Sequence, residues 1–226
     1  MPNDTTYDGP VAIVRREFYG RAIRLVRPAD PDRLLNDPGV LALNARDEYM
    51  PYWAYLWPGA DLLAGAVARE PWPPGAAALE LGCGLGLAGL IGLASGLRVH
   101  FTDYDEAPLR FVARSVRENG FNPASSSLAR LDWRDPPPEV YPVILGADVL
   151  YERRLVPLIA GVIARMLAPG GVALVAGPYR VATEDLPGAL AAAGLVAESE
   201  PVTATTVRGE PVRGTLHRIR RGRDAT

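Results

Sequence analysis

The sequence predicts an α/β fold, a parallel sheet with helices on both faces. Three observations carry that expectation. Apolar strand-like runs alternate with helical patterns along the whole body of the chain. One run, Ala76–Leu81, ends on a glycine cluster (Gly82, Gly84, Gly86, Gly89) that opens a helix rich in small residues. The polar and aromatic residues that follow successive runs collect at one edge of such a sheet, where α/β proteins bind their ligands.

Met1–Pro10 is polar and expected to fray. Val11–Val26 holds two alternating runs, VAIVRREF and RAIRLV, around Tyr19-Gly20, which predicts a hairpin. Pro28–Pro38 contains three prolines and leaves room for one short helix around Asp32–Asn36. Met50–Ala60 crowds aromatics and prolines together, and Pro58 then opens a helix over Ala60–Val67. After the glycine turn come a strand at Arg98–Thr102, an amphipathic helix at Ala107–Asn119 and a strand at Ser125–Leu131. Val143–Gly146 is a fourth strand of the series. Leu155–Leu167 is a helix stopped by Pro169-Gly170-Gly171, and Val172–Ala176 is a fifth strand. Asp185–Ala193 is a short helix. Leu195–Thr203 and Gly214–Ile219 close the chain as two strands joined through Arg208-Gly209-Glu210. Residues 1–49 are expected to be an N-terminal extension and 50–226 the main domain, the two forming one compact unit.

At 226 residues the chain is long enough for one α/β domain with a full core and short for two. A formal net charge of −2 provides no global field toward nucleic acid or anionic membrane, so neither is an expected partner. Every basic residue is Arg, and a basic run, HRIRRGR, lies near the C-terminus; it reads as a solvated strand end or as a phosphate or partner contact. The single cysteine, Cys83, excludes an internal disulfide and a cysteine metal cluster, and its place in the glycine turn suits a small filler. His100 and His217 fall in strand-like runs with too few neighbouring ligands for a metal, so no metal is expected. No signal peptide or membrane-length apolar run is visible, and the cytoplasm is the expected compartment. Oligomeric state is not legible.

The chemistry starts at the glycine turn. Glycines turn the backbone at positive φ and let a ligand approach bare main chain, and the helix that follows presents unpaired N–H groups. Asp103 ends the next strand, about 20 residues past the first glycine, where a carboxylate accepts ribose hydroxyls. Trp133 offers a flat face for adenine and Asp132 an acceptor for its amino group. Glu80 places a carboxylate just before the first glycine. Unless it pairs with an arginine, that charge suits a sulfonium and repels a pyrophosphate, favouring S-adenosylmethionine over NAD. Trp57 sits where the next helix opens and is expected to touch ligand; Trp53 is either core or pocket wall.

With these residues in place, a resemblance emerges. Glu80-Leu-Gly82-Cys-Gly84-Leu-Gly86 resembles the first motif of class I S-adenosylmethionine-dependent methyltransferases. Pro51-Tyr-Trp53-Ala-Tyr-Leu-Trp57-Pro58-Gly59, Leu131-Asp132-Trp133 and Gly146-Ala147-Asp148-Val-Leu-Tyr151 resemble the lysine methyltransferase family within them. The proline-aromatic segment is most similar to the branch acting on the electron-transfer flavoprotein beta subunit, with its nicotinamide N-methyltransferase-like relatives. Gly177-Pro178-Tyr179-Arg180 departs from that branch. The resemblance covers roughly Met50–Arg180. It implies a Rossmann-like sheet of seven strands with the last antiparallel. It also implies cofactor contacts at Trp57, Gly82, Cys83, Gly84, Asp103, Trp133 and Ala147, with Asp148 and Tyr151 facing the acceptor. The implied reaction is methylation of a protein lysine. In that setting Asp148 orients an ammonium, Tyr151 or Tyr179 packs its stem, and Trp53 lines the pocket. The alternatives are a small-molecule N- or O-methyltransferase, a nicotinamide-nucleotide oxidoreductase using Gly84-x-Gly86-x-x-Gly89, and a binding protein without turnover.

Overall fold

The computed structural model describes residues 7–222; the first part of the segment expected to fray, residues 1–6, lies outside the described residues. The predicted hairpin is present as β1 (Val11–Phe18) and β2 (Arg21–Pro28), paired antiparallel in full register. Its turn takes Tyr19 at φ 50° and Gly20 at φ 78°, the pair of positive values that matches the strand twist. A 3-10 turn follows at Pro31–Asn36. Then comes a helix that sequence patterning did not indicate, α1 (Pro38–Asp47). Its start was nevertheless written in the chain: Pro38 occupies the first turn, and Asp37 Oδ1 accepts from the Val40 N–H at 3.0 Å.

The main body runs α2 (Pro58–Arg69), β3 (Ala77–Leu81), α3 (Leu87–Ala94), β4 (Arg98–Asp103), α4 (Glu106–Glu118), β5 (Ser126–Arg130), β6 (Tyr141–Ala147), α5 (Leu155–Met166), β7 (Leu167–Gly177), α6 (Leu186–Ala192), β8 (Leu195–Thr205) and β9 (Pro211–Arg221). Among the described residues the main sheet has seven strands in the order β5-β4-β3-β6-β7-β9-β8. β3 to β7 pair in parallel, and β9 runs antiparallel to both of its neighbours, β7 and β8. The last strand is therefore the reversed one. A long hairpin, β8–β9, folds back and inserts its second arm against β7.

The expected stop after α5 differs in detail. The helix ends at Met166, and Leu167 passes directly into extended backbone and pairs with Tyr141. The next pair is Val143 with Val172, so residues 168–171 bulge from the strand, with Gly170 at φ 73° supplying the bend. The proline-glycine run is thus a bulge within β7.

Two apolar layers sandwich the sheet. One contains Leu62, Leu63 and Val67 of α2, Leu90 and Ile91 of α3, Val112 and Val116 of α4, and Ile23, Leu25 and Val26 of the hairpin. The other contains Val156, Ile159 and Ile163 of α5 with Leu186 and Leu190 of α6. β3 feeds both, Ala78 toward the first and Leu79 and Leu81 toward the second, as expected of a strand buried on two faces. Two arginines of the basic C-terminal run make contacts within the fold. Arg221 donates to the carbonyls of Ala164 (2.6 Å) and Leu167 (2.7 and 2.9 Å), satisfying the end of α5. Arg218 pairs with Glu70 at 2.5 Å.

Candidate active site

β3 delivers the chain to the carboxyl edge of the sheet, and the glycine turn begins there. Gly82, Gly84 and Gly86 adopt φ of 56°, 50° and 75°, a left-handed series that side chains rarely tolerate. Two of the three are also crowded. A Cβ on Gly82 would lie 3.0 Å from the Trp133 ring, and one on Gly86 would lie 2.8 Å from Val112. The turn is stitched to β4: the Cys83 N–H donates to the Thr102 carbonyl at 2.8 Å, and the Thr102 hydroxyl donates to the Glu80 carbonyl at 2.6 Å.

Asp103 ends β4 and faces this turn. Its Oδ2 accepts from the Gly84 N–H at 2.8 Å and its Oδ1 from the Asp105 N–H at 3.1 Å. Burial pushes its carboxyl up to about 6, against the pull of those amides, so at neutral pH it is mostly ionised. Leu131 N–H donates to the Asp103 carbonyl at 2.9 Å and brings the Asp132-Trp133 corner alongside. Trp133 lies over Gly82, with its indole Nε1 buried and unpartnered.

Two residues expected at the site have partners within the chain. Glu80 does not present a charge to the turn, and it forms no arginine pair among the described residues. It is buried behind the turn and accepts from the Gly89 N–H at 3.2 Å. Burial, with Asp103 nearby, pushes it up to about 8, so it is largely neutral at pH 7. The anion of the turn is Asp103. Asp132 holds its own corner: its two oxygens engage the Arg134 guanidinium (2.5 to 3.1 Å) and its Oδ1 the Arg134 N–H at 2.9 Å. Its acceptor capacity goes to Arg134, which pulls its carboxyl down.

Glu80 yields a pH prediction. Its folded value is raised from 4.5, so the folded protein holds the proton more tightly than the unfolded chain. The stability from that proton is complete below about pH 4.5 and is lost as pH rises through about 8. A Glu80→Gln protein keeps the acceptor for Gly89 and cannot ionise. Its melting temperature relative to wild type is expected to rise steadily between pH 5 and pH 8. Parallel melting curves across that range would contradict the buried, protonated Glu80.

The second half of the edge gathers around Asp148. Ala147 ends β6 beside Ala176, and Asp148 follows at φ 53° with its N–H donating to the Ala176 carbonyl at 2.9 Å. Its carboxylate, 7% exposed, accepts from the Gly59 N–H at 2.5 Å and from Arg180 Nη2 at 2.9 Å. Only glycine fits at position 59, because a Cβ there would collide with the Asp148 carboxylate and lie 2.9 Å from the Ala176 carbonyl oxygen. Asp148, Leu150, Gly177, Tyr179, Arg180 and His217 contribute to the wall of a small hollow beside it.

An aromatic rim borders this half. Tyr151 packs edge-on against Tyr52 at 5.6 Å, and Tyr52 against Trp57 at 5.9 Å, with the Trp57 indole N–H donating to the Tyr52 carbonyl at 2.8 Å. Trp57 and Tyr151 are partly exposed, whereas Trp53 is buried against Phe111 at 5.7 Å and belongs to the core. Burial pushes the Tyr151 hydroxyl up to about 12, so it stays protonated. Tyr179 stands out in solvent with its hydroxyl on Glu184 at 2.8 Å. Cys83 is buried and its thiol is raised well above its usual range, in keeping with a filler. Among the described residues no metal-binding cluster is found, and no helix is long and apolar enough to cross a membrane.

The edge thus unites the glycine turn, Asp103 and Trp133 in one half, and Trp57, Asp148 and Tyr151 in the other. Tyr52 and Gly59 escaped the sequence reading as site residues, although both lie in the proline-aromatic segment. Three left-handed glycines, a carboxylate beside their amides and an indole set close against Gly82 fit a nucleoside ligand, S-adenosylmethionine included.

Comparison with known proteins agrees. A family model described as lysine methyltransferase matches residues 72–185. Over 141 residues the chain is 31% identical to the histone-arginine methyltransferase METTL23 of Rattus norvegicus. That alignment covers 57% of this chain and 60% of the relative, so it spans about three fifths of that protein's length. The fold is similar to that of the magnesium protoporphyrin IX methyltransferase of Synechocystis PCC 6803, solved with bound SAH, at a TM-score of 0.58 and 15% identity over 71% of this chain and 81% of that one. It is also similar to the mitomycin 7-O-methyltransferase MmcR, at a TM-score of 0.57 and 18% identity over 73% and 54%. Identities this low speak for the fold alone.

Proposed function

This chain belongs to the lysine methyltransferase family, and from that premise we propose that it methylates a nitrogen of a protein side chain, lysine foremost, with S-adenosylmethionine as donor. The observation that carries the reading is the Asp103 carboxylate, docked on the Gly84 amide beside Trp133 at the carboxyl edge of the sheet. The donor, when bound, supplies a methyl group on a sulfonium, an electrophile that needs no metal.

The chain's own residues do the rest. Asp103 accepts ribose hydroxyls through the lone pairs that its amide partners leave. The Gly82–Gly86 main chain lets the ligand lie close, and Trp133 gives it an apolar face. Cys83 and Ala147 keep the floor small. Orientation supplies much of the acceleration in such a transfer, because the leaving centre is already activated. An acceptor lysine must lose its proton to solvent before its nitrogen attacks the methyl group. The Tyr52–Trp57–Tyr151 rim favours this by stripping water from the amine, which lowers its pKa, while its aromatic faces hold the alkyl stem. Tyr151 remains protonated and donates a hydrogen bond to what it meets.

Lysine is supported by the family description and by the rim; arginine is what the name of the rat relative carries. Incubating the protein and radiolabelled S-adenosylmethionine with a lysate of its source cells tests the assignment. Hydrolysis of the labelled protein fraction is expected to yield methyl-lysine. Label in methyl-arginine would reassign the acceptor residue. Label confined to metabolites would overturn the protein substrate. A heat-shift comparison of S-adenosylhomocysteine with NAD reads the donor independently of the acceptor, since only a bound ligand raises the melting point.

A further inference from the structure

The Asp148 carboxylate is the anion nearest the hollow on the acceptor side, and it is already taken. Gly59 N–H holds one oxygen and Arg180 Nη2 the other, leaving 7% of the side chain exposed. The two partners are unequal. Gly59 belongs to the first turn of α2, where the N–H has no helical partner and Asp148 satisfies it. Arg180 reaches in from the segment that follows β7. Its backbone is fixed, the Arg180 carbonyl accepting from the Thr183 hydroxyl at 2.6 Å and the Thr183 N–H at 2.9 Å. Its guanidinium is not fully matched: Nε is buried without a partner, while a third of the side chain remains exposed. Withdrawal of Arg180 into solvent would free one Asp148 oxygen while Gly59 still orients the other. What such a withdrawal opens is a seat for one cation.

We propose that Arg180 is a specificity-determining residue that competes, from within the chain, with the cation of the acceptor for the Asp148 carboxylate. This rests on the methyltransferase reading for the meaning of "acceptor", but the competition itself does not. A compact ammonium reaches Asp148 only as Arg180 leaves. Acceptors with further contacts along the rim overcome that competition, and isolated small amines do not. Arg180 thereby filters for a cation presented on a larger molecule.

The test uses n-butylammonium, which has the length and charge of a lysine side chain, titrated by ligand-observed NMR with and without saturating S-adenosylhomocysteine. Arg180→Met is expected to bind it at least about tenfold more tightly than wild type, the scale of one charge-assisted hydrogen bond. Arg180→Lys is expected to restore weak binding, and neutral n-butanol to show no change. In the double variant Arg180→Met/Asp148→Asn the gain is expected to vanish. Melting curves confirm that each variant is folded. No gain in Arg180→Met, or a gain that survives loss of the Asp148 charge, overturns the proposal. Failure of S-adenosylhomocysteine to bind wild type would strike the methyltransferase reading instead, and the ammonium titration without it still tests the competition.

Discussion

Asp103→Ala is expected to bind S-adenosylhomocysteine on the order of a hundredfold more weakly than wild type. A hydrogen bond to a charged group contributes about 1.5–3 kcal/mol, and a hundredfold is about 2.7 kcal/mol, so losing one or two ribose contacts suffices. The substitution also frees the Gly84 and Asp105 amides, which Asp103 now holds at 2.8 and 3.1 Å, and so loosens the turn against which the ligand lies. Asp103→Asn keeps one acceptor oxygen and is expected to fall between the two. Calorimetric titration measures both affinities. Melting the variants without ligand separates a lost contact from a lost fold: the ligand-induced shift is expected to disappear while the ligand-free transition stays cooperative. Wild-type affinity in Asp103→Ala would remove the carboxylate from the site.

The largest effect on stability is expected at Asp61. This side chain is 1% exposed in the first turn of α2, and its Oδ1 meets Arg16 Nη2 of β1 at 2.5 Å. Arg16 also donates to the carbonyls of Thr205 (2.5 Å) at the end of β8 and Thr206 (3.5 Å) just beyond it. One guanidinium therefore ties the N-terminal hairpin to a core helix and to the last hairpin of the sheet. Burial pushes the Asp61 carboxyl up and Arg16 pulls it back, the balance of a desolvated pair. Asp61→Ala strands a mostly buried charge, which costs about 3–5 kcal/mol. In a chain of this size that is a fall of roughly 10 °C in melting temperature. Removing both charges in Arg16→Met/Asp61→Leu is expected to recover most of the loss, since a well-packed apolar pair often matches a buried ion pair. Denaturant midpoints measure it. A single variant no less stable than the double would show that the pair carries little.

The same pair marks the boundary of what the sequence made legible. Signals written over a few residues were readable: alternation around Tyr19-Gly20, the glycine series after β3, Asp103 at the end of β4. Each depends on local backbone geometry, which spacing reports. Arg16 and Asp61 meet across 45 residues, and Asp148 and Arg180 across 32, with no local pattern that ties them. Glu80 shows a second kind of loss. Its position before the first glycine was plain, but whether it carries a charge depends on burial behind α3 and on Asp103, which only packing sets. Family resemblance supplied an antiparallel last strand but not the place of β9 between β7 and β8, because two antiparallel arms joined by a short loop do not state which of them meets the sheet.

One titration tests most directly whether this edge of the sheet holds S-adenosylmethionine: S-adenosylhomocysteine and NAD are each added to the wild-type protein in a calorimeter. The expected result is saturable one-to-one binding of S-adenosylhomocysteine and no heat from NAD. A folded protein that binds NAD and ignores S-adenosylhomocysteine would contradict it.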